Sequence, residues 1–593
     1  VFAAARFGQR DSERRVSERS VPPEVVSVGR PIWRTIQWLF VPLLVMPLYF
    51  YGLGDTYLWQ DEAHTALLGR HTVRYGLPMV GEGHESASAL SGDDAGAGGV
   101  FLHIPPLQAY ACAASFVIFG ESSWSARLPF ALAGWLCVLL LPWACGSGVP
   151  PGAKLWAQLV LGLHVPFLLH VRQCRYYGLA ALLAVLALGA GLRIFEGGTR
   201  SGRSPGLVIL LTLSLVGLGL TFEFPWAAAM GTLALALLTV LLQRGLSQLK
   251  AYRGFVAALV ISFLVELAWV TLASTAPSRQ RAPGSNFNPD FPDVPWYYFG
   301  FLNGYGVPVF WSLALAAVWL TLGGFRRLLA RSRGAQGRTA ATIGLTWAGY
   351  YGLFVLLSCV ACTFTRNAFP RYIVPALPGA VLATVLLLHR VATSLPAGML
   401  RVLLIAVLVL VTASGQWSFR VNRRAPLWPW EGWIESRTGV PWSRRNEVNL
   451  VSYLRELTHP PRGPVAAVVE YLSGHARPGD SIVAEYSEKP LKFHTRLKVY
   501  GGETGEYPPE PPEWIWIRPF RRLWREVKET REWIQSHTDP EEYEEIILPG
   551  VVDSQWENRP HPKWHVFEDK YRILYPHSRP YTILLRKRGR AVR

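Results

Sequence analysis

The chain has 593 residues, half of them hydrophobic, with a mean hydropathy of +0.19 and a formal net charge of +18. That apolar content excludes a wholly soluble protein. The positive charge falls in short loops between apolar runs, where it reads as an orientation signal, so nucleic acid is not an expected partner.

Residues 1–32 carry Arg6, Arg10, Arg14, Arg15 and Arg19 without an apolar core, which predicts a disordered cytoplasmic tail and no signal peptide. Ile36 to Leu53 is long enough to span a bilayer. Residues 55–124 are expected to form a first extracytoplasmic loop with juxtamembrane helices. Its opening stretch, Tyr57-Leu58-Trp59-Gln60-Asp61-Glu62-Ala63-His64, predicts a short helix lying at the interface, with Trp59 at headgroup depth. Gly81–Gly99 is rich in small residues and is expected to be mobile, with Asp93 and Asp94 solvated. Gly81-Glu82-Gly83-His84-Glu85 has metal-capable side chains, on a loop too flexible by composition to favour a site. Pro105–Phe119 as a helix covers only about 22 Å, short of the hydrocarbon core, and reads as juxtamembrane.

Further apolar runs lie near 125–145, 155–171, 176–192, 206–221, 225–242, 254–274, 304–324, 341–362, 372–388 and 402–415. About eleven spans result for residues 33–415, with the N-terminus inside and the C-terminus outside. The inner loops then hold roughly fourteen Lys and Arg against six outside, as the positive-inside rule requires. The six are Arg172, Arg175, Arg279, Arg281, Arg366 and Arg371. All six cysteines precede residue 416; Cys359 and Cys362 form a CxxC inside an apolar helix, where packing explains them better than metal or redox work. From Gln416 to Arg593 charge and proline rise. A helix over Val465–His475, a Pro-Gly-Asp turn, a strand over Ser481–Tyr486 and another near Lys498 predict an extracytoplasmic α/β domain.

The polar residues assigned to the outer face form one constellation: Asp61 and Glu62, His103, Arg172 and Arg175, Glu223, Arg366, Arg371 and Tyr372. Adjacent carboxylates at the mouth of a span are costly unless water, a cation or a substrate answers them. Outer arginines run against the charge bias, and a phosphate or diphosphate would account for them through bidentate guanidinium contacts; headgroup contact or snorkelling is the competing account. Glu223 reads as a helix-end carboxylate, a second acid or a metal ligand.

Trp59-Gln60-Asp61-Glu62-Ala63 resembles the acidic motif after the first span of GT-C fold glycosyltransferases, in the protein O-mannosyltransferase and lipid A aminoarabinose transferase superfamily (family 39-like). His103-Ile104-Pro105-Pro106-Leu107 with Ile118-Phe119-Gly120-Glu121-Ser122 and Ala126-Arg127-Leu128-Pro129 is similar to that family's "PPL … FGES … RLP" block. Gln173-Cys174-Arg175-Tyr176-Tyr177 is similar to its "aRxY" segment, and Pro370-Arg371-Tyr372 with Pro375 to its "RYxxP" motif. Together these cover residues 35–390. Many relatives carry Lys or another polar residue where Ile104 stands, and Glu223 has no counterpart.

The resemblance implies an all-α polytopic membrane protein with a C-terminal extracytoplasmic α/β domain, in a cell inner (plasma) membrane. Its implied activity is inverting transfer of a sugar from a polyprenyl-phosphate donor to a hydroxyl on a lipid, glycan or protein acceptor. Asp61 would be the general base and Glu62 its catalytic neighbour. His103, Arg172, Arg175, Tyr176, Glu223, Arg366, Arg371 and Tyr372 would bind substrate. No cofactor is certain; a divalent metal is a possible one, and no metal ligand is assigned. The C-terminal domain is expected to contribute acceptor choice more than catalysis. A transporter or flippase for lipid-linked glycans, or a binder of them without catalysis, is the competing class. Transporters place ionisable residues near mid-membrane, whereas here the informative charges gather at one face, with Glu266 the main exception.

Overall fold

Apolar runs bounded by proline, glycine and capping hydroxyls become helices, and the chain is mostly helical with one small sheet towards its end. The computed structural model describes residues 30–146, 149–196, 204–280, 335–364, 370–394, 398–413, 449–460, 462–518, 525–553 and 579–589, with single positions at 298, 302, 307 and 312. The helices that position the site are α1 (Arg30–Phe50), α2 (Gln60–Tyr75), α3 (Leu107–Phe119), α4 (Ser123–Ala144), α5 (Pro151–Gly162), α6 (Val165–Val171) and α7 (Tyr177–Glu196). They are followed by α8 (Pro205–Gly219), α9 (Glu223–Arg244), α10 (Arg253–Ala273), α11 (Ala335–Cys362), a 3₁₀ turn at Pro370–Ala376, α12 (Leu377–Ser394) and α13 (Met399–Ala413).

Among the described residues five helices are long and apolar enough to cross a membrane: Ser123–Ala144, Tyr177–Glu196, Glu223–Gln243, Arg253–Ala273 and Arg371–Ala392. The run expected at 155–171 is a bent pair, α5 and α6 meeting at 61°. The break has a local cause: Pro166 has no N–H to give, and His164 Nδ1 instead accepts the Phe167 N–H at 3.3 Å. The run at 304–324 apart from Val307 and Ser312, residues 1–29 of the tail and residues 414–448 lie outside the described residues. Large apolar side chains on α10, among them Phe263, Leu264 and Leu267, are exposed, as a lipid-facing surface requires.

Packing between spans uses small residues. A Cβ at Gly178 of α7 would collide with the Phe130 carbonyl of α4, so the two helices meet backbone to backbone. Helix α4 starts on a capping box: Ser122 Oγ accepts the Ser125 N–H at 3.1 Å and Ser125 Oγ accepts the Ser122 N–H at 3.0 Å.

Two expectations fail here. Trp59 is not set at headgroup depth: Leu58 and Trp59, at the entry to α2, are buried in protein, because α3 covers one side of the helix and the C-terminal domain the other. The Gly81–Gly99 loop is organised around Asp94, which is fully buried rather than solvated. Asp94 accepts from Ser88 Oγ (2.6 Å) and from the Ala89 N–H (2.7 Å), and bridges pair Met79 with Val100 and Ala95 with Phe101. Small residues let the backbone close tightly around a single carboxylate.

The C-terminal domain holds α14 (Asn449–Thr458), α15 (Pro464–His475), β1 (Ser481–Ala484), α16 (Glu488–His494), β2 (Lys498–Gly501), β3 (Trp514–Ile517), α17 (Arg525–His537), β4 (Tyr543–Asp553) and β5 (Arg579–Lys587). The sheet order is β2-β1-β3-β5-β4, with β1 parallel to β2 and β3, and β5 antiparallel to β3 and β4. The helix, the Pro-Gly-Asp turn and the first two strands stand where the sequence places them.

Candidate active site

Asp61 and Glu62 occupy the first turn of α2, where the helix dipole favours negative charge. Adjacent helical residues point about 100° apart, and the two carboxylates have separate fates. Glu62 is buried and fully answered. Arg127 grips it bidentately, Nε to Oε1 and Nη2 to Oε2 at 2.7 Å each, and the Cys174 N–H reaches Oε1 at 2.8 Å. Arg127 spends its other donors on the carbonyls of Leu53 (2.9 Å), Thr56 (2.8 Å) and Tyr57 (3.1 Å). This ion pair ties the end of α1, the start of α2 and α4 together, and sets Glu62 apart as a structural carboxylate.

Asp61 is half-exposed. Arg371 Nη1 lies 2.8 Å from its Oδ2, and Arg175 Nη2 lies 4.0 Å from the same oxygen. Arg175 also donates to the Asp61 carbonyl (3.2 Å) and to Thr65 Oγ1 (3.3 Å). Both guanidinium groups sit against aromatic rings: Arg371 is 6.0 Å from Trp59 and 5.9 Å from Tyr372, and Arg175 is 5.1 Å from Tyr176. Tyr176 packs on Phe222 at 4.5 Å, and Phe222 on Tyr372 at 5.9 Å. One carboxylate, two arginines and an aromatic wall thus converge from the start of α2, the α6–α7 turn, the start of α9 and the 3₁₀ turn before α12.

A second polar cluster adjoins the first through Phe222. Glu223 accepts from Arg279 Nη2 (2.8 Å) and Trp269 Nε1 (3.1 Å), Arg279 also donates to the His103 carbonyl (2.7 Å), and His103 Nδ1 is 3.2 Å from Ser278 Oγ. Burial, and then the Arg279 charge, lower the His103 pKa from its ordinary value, so the ring is neutral. His64, one helical turn beyond Asp61, is buried edge-on to Phe101 and is held neutral by burial and then by Lys489 and Arg175.

Of the residues expected at the site, Asp61, Arg175, Tyr176, Arg371 and Tyr372 come together, with His103 and Glu223 beside them. Arg172 does not join them: it donates to the Leu48 (2.9 Å) and Tyr51 (2.8 Å) carbonyls and closes the end of α1. Arg366 lies outside the described residues. Among the described residues no three His, Cys, Asp or Glu side chains converge as a metal would need, and Glu223 is engaged by Arg279 and Trp269. The sequence reading missed Arg127 as the partner of Glu62, Arg279 as the partner of Glu223, and the whole contribution of α16. That helix packs on α2: the Leu58 N–H donates to His494 Nε2 (3.2 Å), and Arg70 donates to the Lys492 (3.2 Å) and Phe493 (3.0 Å) carbonyls.

No family model and no curated protein matches the chain. Solved structures do resemble it, and they are GT-C glycosyltransferases. ArnT from Cupriavidus metallidurans, bound to undecaprenyl phosphate, is 14% identical over 93% of this chain and 99% of its own, with a TM-score of 0.43. The apo oligosaccharyltransferase from Archaeoglobus fulgidus is 13% identical over 80% of this chain and 65% of its own, at 0.44. Arabinosyltransferase EmbB from Mycobacterium smegmatis is 14% identical over 78% and 45%, at 0.39. Likenesses of this size say nothing about what the chain does, and the functional reading rests on its residues.

Proposed function

We propose that this chain is an integral-membrane glycosyltransferase that moves a sugar from a polyprenyl-phosphate donor to an acceptor hydroxyl on the extracytoplasmic face. The observation that carries the reading is the half-exposed Asp61 carboxylate held between Arg371 and Arg175 against an aromatic wall. These residues belong to the same short stretches that resemble the lipid-linked-sugar transferases. In the reaction the acceptor proton passes to Asp61 while the acceptor oxygen bonds to the anomeric carbon. The bond from that carbon to the donor phosphate breaks, and polyprenyl phosphate leaves. A single displacement inverts the anomeric centre. Fixed guanidinium charge stabilises the leaving phosphate without protonating it. The rings of Tyr176, Phe222 and Tyr372 offer a face for the sugar or the first isoprene unit.

Purified protein assayed against a panel of polyprenyl-phosphate sugars tests the activity. Removing a general base costs about 10²–10⁴ in rate, so Asp61→Asn should lose that much turnover with far less effect on donor affinity. Near-parental transfer by Asp61→Asn at saturating donor and acceptor overturns the assignment.

A further inference from the structure

The C-terminal domain touches the residue next to Asp61. Gln60, the first residue of α2, donates from Nε2 to Glu488 Oε1 at 2.8 Å and to Glu503 Oε2 at 2.9 Å. Glu488 Oε1 also accepts the Glu503 N–H at 3.3 Å. Glu488 is fully buried and Gln60 nearly so. Two atoms of this pair, Glu488 Oε2 and Gln60 Oε1, are closed off from solvent and have no hydrogen-bond partner among the described residues. Both are acceptors, and each lacks a donor. The carboxyl is pressed against Gly502, whose φ is +60° and where any Cβ would collide with Glu488 Oε2. Glycine at that position is what lets the carboxyl be buried there.

Of the two lysines nearest Glu488, one is matched by Glu503, and burial lowers the other, Lys492, to about 7, so the cluster does not hold two full cations near neutrality. On its own helix stand Lys489, 4.0 Å from Oε1, and Lys492, which donates to the Ser86 carbonyl at 2.7 Å. Lys489 is already matched by Glu503, 2.5 Å away. From the turn after β2 come Glu503 and Glu506; from the loop before α3 comes Asp94; from α2 come Gln60 and His64, the latter neutral.

We propose that Glu488 is carried as the neutral acid, its Oε2–H donating to Gln60 Oε1, and that this carboxyl–carboxamide pair positions the first turn of α2 and Asp61 with it. Glu488 is thus a positioning residue. Its effect on transfer rests on the function proposed above, whereas the buried proton does not. Burial, opposed by Lys489 and reinforced by Glu503, lifts the carboxyl from 4.5 to about 7. A raised folded-state pKa fixes the sign: the stabilisation is complete below about 4.5 and is lost as pH rises through about 7.

The test is an infrared titration of the full chain in nanodiscs, in a Glu266→Gln background that removes the carboxyl buried in α10. A protonated-carboxyl band is expected near pH 6. It should vanish as pH passes about 7, and Glu488→Gln should lack it. Glutamine can donate and accept at the same places, so Glu488→Gln should hold its melting temperature and transfer rate level where the parent's transfer falls several-fold. Absence of the band in the folded parent near pH 6, the same band in Glu488→Gln, or a parental pH dependence in that variant overturns the proposal. If Glu488→Gln does not fold, the parent's band decides alone. A protein with no transferase activity would sink the Asp61 assignment and leave the band and melting readouts standing.

Discussion

At the scale of single residues, the neighbours Asp61 and Glu62 divide the labour that their sequence leaves undivided. Glu62 is bound on both oxygens by a buried guanidinium, so removing its charge strands Arg127. Breaking such a pair costs about 3–5 kcal/mol, whereas replacing both partners by apolar side chains of similar size is often near neutral. Glu62→Gln is therefore expected to lower stability by about that amount, and Glu62→Leu with Arg127→Met to recover much of it. A thermal-unfolding cycle in detergent checks this; purely additive losses would show that the two residues act separately. The arginines at Asp61 divide similarly. Arg371 makes its contact with a half-exposed carboxylate, so Arg371→Ala should weaken donor binding and leave the fold intact. Lysine there should rescue only partly, for want of a bidentate fork. Arg175, buried and bonded to the α2 backbone, should cost stability as well when cut to alanine. Donor binding measured on folded Arg371→Ala decides, and parental affinity would make that arginine a headgroup anchor.

At the scale of elements, α2 packs against α3 and α16, and the α16 contact is expected to be pH-sensitive on its acid side. His494 accepts the Leu58 N–H and is therefore neutral. Burial, then the charges of Arg127 and Arg70, push its pKa from 6.5 down to about 3. With the folded pKa depressed, the unfolded chain takes up the proton first. Stability is thus lost as pH falls from about 6.5 towards 3, with a ceiling of about 1.4 kcal/mol per unit. His494→Gln, which keeps an acceptor, should flatten that limb in melting curves between about pH 4 and 7; an unchanged slope would assign it to another group. What the sequence made legible is local. Apolar runs located the helices, five of which among the described residues are long and apolar enough to cross a membrane, and the carboxylates after α1 pointed to the candidate site. The hidden part is long-range: Gln60 and Glu488 are 428 positions apart, and no spacing rule joins them. Arg127 was hidden differently, inside a span, where a charge reads as an anomaly until its partner is in view. Asp94 was misread because small residues score as loose whether or not they wrap a carboxylate.

At the scale of the whole molecule, we propose from loop charge that the site and the C-terminal domain lie on the extracytoplasmic side. Cysteine labelling should find residues after Gln416 accessible from outside and the stretch at Arg326–Arg338 from inside. Labelling of the C-terminal domain from the cytoplasm would turn the site to the wrong face. The distances along the chain between paired charges also fix an order of assembly at the ribosome. Glu62 waits 65 residues for Arg127, but Asp61 waits 310 for Arg371. At synthesis rates of about 5–20 residues per second that second wait lasts roughly 15–60 s. For that interval the nascent chain carries a carboxylate, Asp61, whose strongest counter-charge has not yet been made. Biogenesis therefore completes the site late, and a chain stalled before residue 371 is left with a carboxylate answered by Arg175 alone.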